Sequence, residues 1–308
     1  ACLPTHSARL GFGSVRFGST RIDSDRPTER KISREEAFPL LAPHGAAIPC
    51  FPEPDHSSTT HVISPSLIAP ARESTPAFEF KMLVHEPIAL AIQQRLQSLL
   101  EPDPHLDPAL GMAYRVASVY FDTPGLDIFH RRRGFRRHKH RVRRYGDEPM
   151  VHFERKSKKQ NQVWKFRTAV PLARATSPFQ GWTDCAAEAP DWFREELAAS
   201  AFEPICQVSY ERSAWVGLSE TGPIRLTIDR RVLGSPIAGP SWGRDAVAAN
   251  LLEDEAIVEL KFLSAMPTIF KEVLEQFRLE PKRVSKYRRC VKRLGLDPPG
   301  EGARHASA

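Results

Sequence analysis

The sequence predicts an α+β fold: an antiparallel sheet closed into a β-barrel, with helices flanking it. Three observations carry this. Between residues 76 and 297, segment after segment alternates with the two-residue period of a strand. On these segments charged residues recur at i and i+2, while Phe, Leu, Ile and Val fill the positions between them. Helix-period stretches with apolar stripes are available to cover an apolar sheet face. The 308 residues are 41% hydrophobic, enough for the core of a large domain.

In chain order, residues 1–75 are rich in Pro, Ser, Thr, Arg and His, lack periodicity, and read as a disordered or low-order segment. Phe78–Val84 is the first strand. Pro87 then opens a helix over Ile88–Leu100, apolar at Ile88, Ala91, Ile92, Leu96, Leu99 and Leu100. Val116–Phe121 is a second strand, and His138–Tyr145, Met150–Lys156 and Val163–Val170 follow with short turns between them. Asp191–Ala199 is helical. Ile205–Val216, Ile224–Val232 and Ala256–Leu263 return to strand. Pro267–Arg278 is an amphipathic helix with Ile269, Phe270, Val273, Leu274 and Phe277 on one side. A basic helix begins near Val284, and residues 298–308 form a polar tail. Mostly antiparallel strand with a few helices defines an α+β domain over 76–297.

Side chains at i and i+2 share a strand face. Read this way, the strands present Glu79 and Lys81; Lys139, Arg141 and Arg143; Glu154, Lys156 and Lys158; Lys165 and Arg167; Tyr210 and Arg212; Arg225, Thr227 and Asp229; Glu259 and Lys261. On any single strand such a face ordinarily points to water. As a set these faces are rich in Arg and Lys, with carboxylates among them, and the opposite faces are apolar. A closed sheet, apolar outside under helices and charged inside, accounts for the whole set. A barrel of about eight strands encloses room for one ligand. Cations crowded in a low-dielectric lumen repel one another unless an anion neutralises them. The arginine fork suits phosphate oxygens, and the net charge of +7 favours polyanionic partners.

The five cysteines, Cys2, Cys50, Cys185, Cys206 and Cys290, form no Cys-x-x-Cys pair and fit reduced thiols in a cytoplasmic protein. No apolar run reaches the length of a membrane span, and no secretory leader pattern is read. Nucleic acid is not expected as a partner. It would require an open basic face with stacking aromatics, and here the aromatics fall mostly between the charges.

The motifs Val119-Tyr120-Phe121-Asp122-Thr123, Arg141-Val142-Arg143-Arg144-Tyr145-Gly146, Glu154-Arg155-Lys156, Lys165-Phe166-Arg167, Tyr210-Glu211-Arg212, Arg225-Leu226-Thr227-Ile228-Asp229, Glu259-Leu260-Lys261 and Ser285-Lys286-Tyr287 stand in this order over about 76–295. In this the chain resembles the catalytic domain of vacuolar transporter chaperone (VTC) proteins, the polyphosphate polymerase branch of the triphosphate tunnel metalloenzymes. The resemblance implies a tunnel-shaped barrel that binds ATP with Mn²⁺ or Mg²⁺ and moves the γ-phosphoryl group onto a growing polyphosphate chain. Carried over by position, it implies catalytic roles for Arg141, Arg143, Lys156, Arg212 and Lys261. Substrate binding would fall to Lys81, Lys165, Arg167, Tyr210, Arg225, Ser285 and Lys286. Glu259 would hold the metal, with Glu79 or Glu154.

The tunnel hydrolases carry Glu-x-Glu-x-Lys on the first strand. Here the alignment reads Ala77-Phe78-Glu79-Phe80-Lys81, without the first carboxylate. The departure favours the polymerase over a tunnel triphosphatase acting on inorganic or nucleoside triphosphate, and the retained Glu259 with the cation set favours it over a non-catalytic polyphosphate- or nucleotide-binding module; both alternatives stay open. Fungal family members add an inositol-phosphate-sensing domain and membrane helices, and neither pattern is read here. His138, His140, His130 and His152 are expected on the surface or barrel exterior. Arg131-Arg132-Arg133, with Arg136 and Arg137, forms a separate basic run suited to steering a polyanion.

Overall fold

A computed structural model describes residues 71–159, 162–173, 189–237 and 248–297. The expectations for residues 1–70 and for the tail from 298 lie outside the described residues. Arg72–Glu73 already pairs with the sheet, ahead of the expected boundary at 76.

Eight strands form the ring: β1 (Ala77–His85), β2 (Tyr114–Asp122), β3 (His138–Tyr145), β4 (Met150–Lys159), β5 (Gln162–Pro171), β6 (Glu203–Ser219), β7 (Gly222–Pro236) and β8 (Glu255–Phe262). The order around it is β7-β8-β1-β5-β4-β3-β2-β6, closed by β6–β7 pairing, and every pairing is antiparallel. Closure is uneven. β1 pairs β5 only through Ala77↔Val163 and Phe78↔Gln162, whereas β6 and β7 pair from Cys206↔Pro236 to Ser219↔Gly222. That long hairpin exceeds the expected Ile205–Val216 and Ile224–Val232. Its tight end uses Gly222 at φ +107°, a conformation side chains disfavour.

The apolar strand faces point outward and are covered as expected. Helix α1 (Glu86–Gln97) and helix α4 (Thr268–Gln276) bury Ile92, Leu96, Phe270 and Val273 with Met82, Leu226, Ile228, Val258 and Leu260. After the one-turn helix α2 (Asp127–His130), helix α3 (Asp191–Ala199) sets Phe193 edge-on to Phe121 and Phe153 over the opposite wall. Helix α1 ends three residues early, at Gln97, where the Leu99 N–H tightens the turn by bonding the Leu96 carbonyl three residues back. Leu100 then folds onto Gly217, where a Cβ would lie 2.5 Å from its side chain.

Helix α5 (Lys286–Arg293) closes one end of the barrel. Its Tyr287, Cys290 and Val291 share a buried cluster with Tyr120, Cys206, Val208, Val232 and Ile257. The Tyr287 hydroxyl donates to Asp122 Oδ2 at 2.6 Å, and the ring stacks on Tyr120. Gly234 makes this docking possible, since a Cβ there would meet Cys290 Sγ at 2.6 Å. Cys206 and Cys290 are free, buried thiols. No helix among the described residues is long and apolar enough to cross a membrane.

One histidine expectation is corrected. His140 sits on the exterior, buried under α3, its Nε2 2.6 Å from Glu196 Oε2. His152 instead has the face parity of Glu154. It is buried on the lumen side with its ring against Tyr145, because a histidine two residues from a lumen carboxylate points the same way.

Candidate active site

The register fixes which side chains meet inside. Tyr120 opposes Arg141 and Arg141 opposes Glu154, which opposes Arg167. Lys139, Lys156 and Lys165 form the next row. On the facing wall, Lys81, Glu259, Thr227 and Ala214 lie in one row, with Glu79, Lys261, Arg225 and Val216 in the row beside it. Asp229 opposes Arg212, which opposes Tyr114. Every site residue expected on these strands thus faces one lumen. Lys286 and Ser285 enter from the α5 end.

Inside, carboxylates act as counterions for sets of cations. Glu154, fully buried, accepts from Arg141 Nε at 2.6 Å and Arg167 Nε at 2.9 Å, with Lys165 at 3.6 Å. Asp229, equally buried, accepts from Arg212 Nε and Nη2 at 2.6 and 2.8 Å and from Lys286 Nζ at 2.5 Å. Glu79 accepts from Lys156 at 2.6 Å, and Lys81 and Lys261 lie 3.6 and 3.5 Å away. The same two lysines pair with Glu259. Arg143 donates to Ser118 Oγ at 3.1 Å and Tyr210 Oη at 3.0 Å. Lys139 donates to Ser285 Oγ at 2.9 Å, and Ser285 also caps α5 by accepting from Arg288 N–H.

This crowding shifts the titrations. Burial opposes ionisation of Glu154 and Asp229, but the neighbouring cations win and hold both well below the usual carboxylate range. Lysines fare differently, because burial and like charges act together. Lys139 falls to about 7, Lys156 to about 8 and Lys165 to about 7. Lys81 and Lys261 are lowered too, by burial first, although Glu79 pulls the other way. Tyr145 is made more acidic despite its burial, by Arg167 and Arg143. Lysine charge in the lumen is thus held back by burial first and by the neighbouring cations after it.

The expected divalent ion has a fitting donor pair. Glu79 and Glu259 are hard oxygen donors joined through the same Lys81 and Lys261. Among the described residues no group of three or more His, Cys, Asp and Glu is placed to hold a metal. Two carboxylates, with substrate oxygens and water completing the shell, suit Mg²⁺ or Mn²⁺. Glu154 is placed differently, with each oxygen already bound by a guanidinium.

Some of the site escaped the charge alternation. Asp103 lies in an aperiodic loop, yet accepts from Arg225 Nη2 at 2.7 Å, and the same nitrogen reaches Tyr114 Oη at 3.2 Å. Tyr114, Ser118 and Tyr120 line the lumen from β2, whose inward face is neutral until Asp122 at its end. Asp229 was visible in the alternation, but its role as anchor for Arg212 and Lys286 needed the β6–β7 register.

The VTC domain family model matches residues 77–295, most of the chain and the whole of the barrel. The chain belongs to the VTC domain family. No curated protein matches. Among solved structures, a putative adenylate cyclase from Bacillus halodurans is 15% identical, with 69% of this chain and 95% of that chain covered at a TM-score of 0.41. A putative adenylyl cyclase, HpAC1 from Hippeastrum, described as having a dominant triphosphatase activity, is 16% identical over 72% and 96% at 0.41. The PH1819 protein of Pyrococcus horikoshii OT3 is 13% identical over 72% and 99% at 0.37. At such scores the assignment rests on the family match and the strand register.

Proposed function

We propose that this VTC-domain protein is an ATP-dependent polyphosphate polymerase that transfers the γ-phosphoryl group of ATP to the end of a polyphosphate chain held in the lumen. The observation that carries the reading is the excess of lumen cations over their carboxylate counterions, with three lysines depressed to about 7–8. A linear polyanion supplies the missing charge along the whole barrel, as a single small anion does not.

Phosphoryl transfer asks mainly for positioning and for stabilisation of charge on the equatorial oxygens. Arg141 and Arg167, aimed by Glu154, and Arg143, aimed by Ser118 and Tyr210, present guanidinium forks already fixed in direction. Arg212 and Lys286 are fixed by Asp229 in the same way. Lys81, Lys156, Lys165, Lys261 and Arg225 supply charge along the chain, and Lys139 joins them beside Ser285. Glu79 and Glu259 would hold Mn²⁺ or Mg²⁺, which when bound supplies Lewis-acid stabilisation of phosphate oxygens. The acceptor's terminal phosphate is itself the nucleophile, so no covalent protein intermediate enters.

The test is one product analysis on the full chain with ATP and Mn²⁺, resolving ADP, free phosphate and polyphosphate together. ADP with long chains and little free phosphate is expected. Free phosphate equal to ADP, without chains, would make the protein a tunnel triphosphatase, and tight triphosphate binding without turnover would make it a binding module.

A further inference from the structure

On β7 two buried donors have no partner among the described residues. Thr227 Oγ1 makes no hydrogen bond although Thr227 is wholly buried, and Arg225 Nε makes none although the same guanidinium is anchored through Nη2. Both residues face the lumen two positions apart on one strand. Thr227 stands opposite Glu259 on one side and Ala214 on the other. Directly opposed residues of an antiparallel pair bring their Cβ atoms within about 5 Å, so the hydroxyl lies beside the proposed metal carboxylate. The alanine methyl offers it nothing.

A buried hydroxyl left without a partner is destabilising, and such groups in folded proteins are few. An arginine Nε can only donate. Two partnerless donors two positions apart on one lumen face therefore call for an acceptor that arrives with the ligand. We infer that Thr227 is a substrate-binding residue, and that its hydroxyl and Arg225 Nε together donate to oxygens of one phosphoryl group lying next to Glu259. The inference rests on the lumen binding a phosphate chain and adds to it a neutral contact. Threonine differs from the surrounding cations in what it selects, because a hydroxyl rewards correct placement of an oxygen and gives little for charge alone.

Isothermal titration of the full chain with inorganic tripolyphosphate tests this, run once in EDTA and once with Mn²⁺, on wild type, Thr227→Val and Thr227→Ser. Valine matches the shape and lacks the hydroxyl. Affinity in EDTA is expected to fall roughly tenfold or more for Thr227→Val, the size of one hydrogen bond to a charged acceptor, and to be largely restored in Thr227→Ser. Unliganded Thr227→Val is expected to melt at or above wild type, since a partnerless hydroxyl has been removed. Equal affinity of wild type and valine variant overturns the inference alone. A loss seen only with Mn²⁺ also overturns it, by moving the contact to an oxygen carried by the metal. An unliganded valine variant that melts below both others overturns it too, because the hydroxyl then has an internal partner. Failure of the wild type to bind tripolyphosphate overturns the underlying reading and the inference with it.

Discussion

Replacing Asp229 by Asn isolates the counterion role that the lumen assigns to its carboxylates. Asp229 is fully buried and binds the Arg212 fork through both oxygens and Lys286 through one. Asparagine keeps the shape and one acceptor but leaves two largely buried cations short of an anion. Breaking a buried pair in this way costs about 3–5 kcal/mol. At about 2–4 °C per kcal/mol for a domain of this size, the melting temperature should fall by roughly 6–20 °C. The distinctive part is the rescue. Tripolyphosphate brings anionic oxygens to the same cations, so the ligand should raise the melting temperature of Asp229→Asn by more than it raises that of wild type. Differential scanning fluorimetry across a tripolyphosphate series reads both quantities. A loss under about 2 °C, or a variant that tripolyphosphate stabilises less than wild type, refutes the view that protein carboxylates and ligand phosphates neutralise the same charges.

Other outcomes follow from the same geometry. Arg141→Ala should abolish turnover while the far-ultraviolet circular dichroism and cooperative melting persist; retained chain synthesis would remove Arg141 from the site. Glu154→Gln should likewise be stabilised by tripolyphosphate more than wild type is, read by melting, because Arg141 and Arg167 lose their protein counterion; equal stabilisation would remove Glu154 from that role. Lys139, Lys156 and Lys165, at about 7, 8 and 7, sit below the ordinary 10.5, so between these values the folded state binds fewer protons than the unfolded one. The unliganded protein should therefore gain stability as pH rises from about 7 to 9. Tripolyphosphate affinity should fall over the same range, with proton uptake near pH 8 visible as a buffer-dependent binding enthalpy. Charge reversal at Arg131, Arg132 and Arg133, all exposed, should flatten the salt dependence of chain elongation if that run steers the polyanion.

Much of this site was legible because a strand has a period of two. Glu79 with Lys81, Arg141 with Arg143 and Glu259 with Lys261 declared a shared face in the sequence, and Phe80, Val142 and Leu260 between them declared the opposite one. The helices that cover that face showed as apolar stripes, including Phe270 and Val273 on α4. Periodicity is silent where a lumen face is neutral, as with Tyr114, Ser118 and Tyr120 on β2, and where a side chain arrives from a loop, as with Asp103. Nor does it distinguish carboxylates that share a face. Glu154 and Glu259 look alike in sequence. Only register and packing show that two guanidinium groups take up the first, while the second shares its lysines with Glu79. The resemblance puts Lys286 at one end of the lumen, but the seating of α5 was hidden, since it depends on Gly234 leaving room for Cys290 across a gap of many residues.

The central claim is that these inward-facing cations form one binding site for a phosphate chain. A crystal structure of the full chain with tripolyphosphate and Mn²⁺ tests it most directly. The expected result is continuous phosphate density inside the barrel, contacted by Arg141, Arg143, Arg212 and Lys261, with the ion at Glu79 and Glu259. Phosphate bound only on the outer surface, with the lumen ion pairs unchanged, would contradict it.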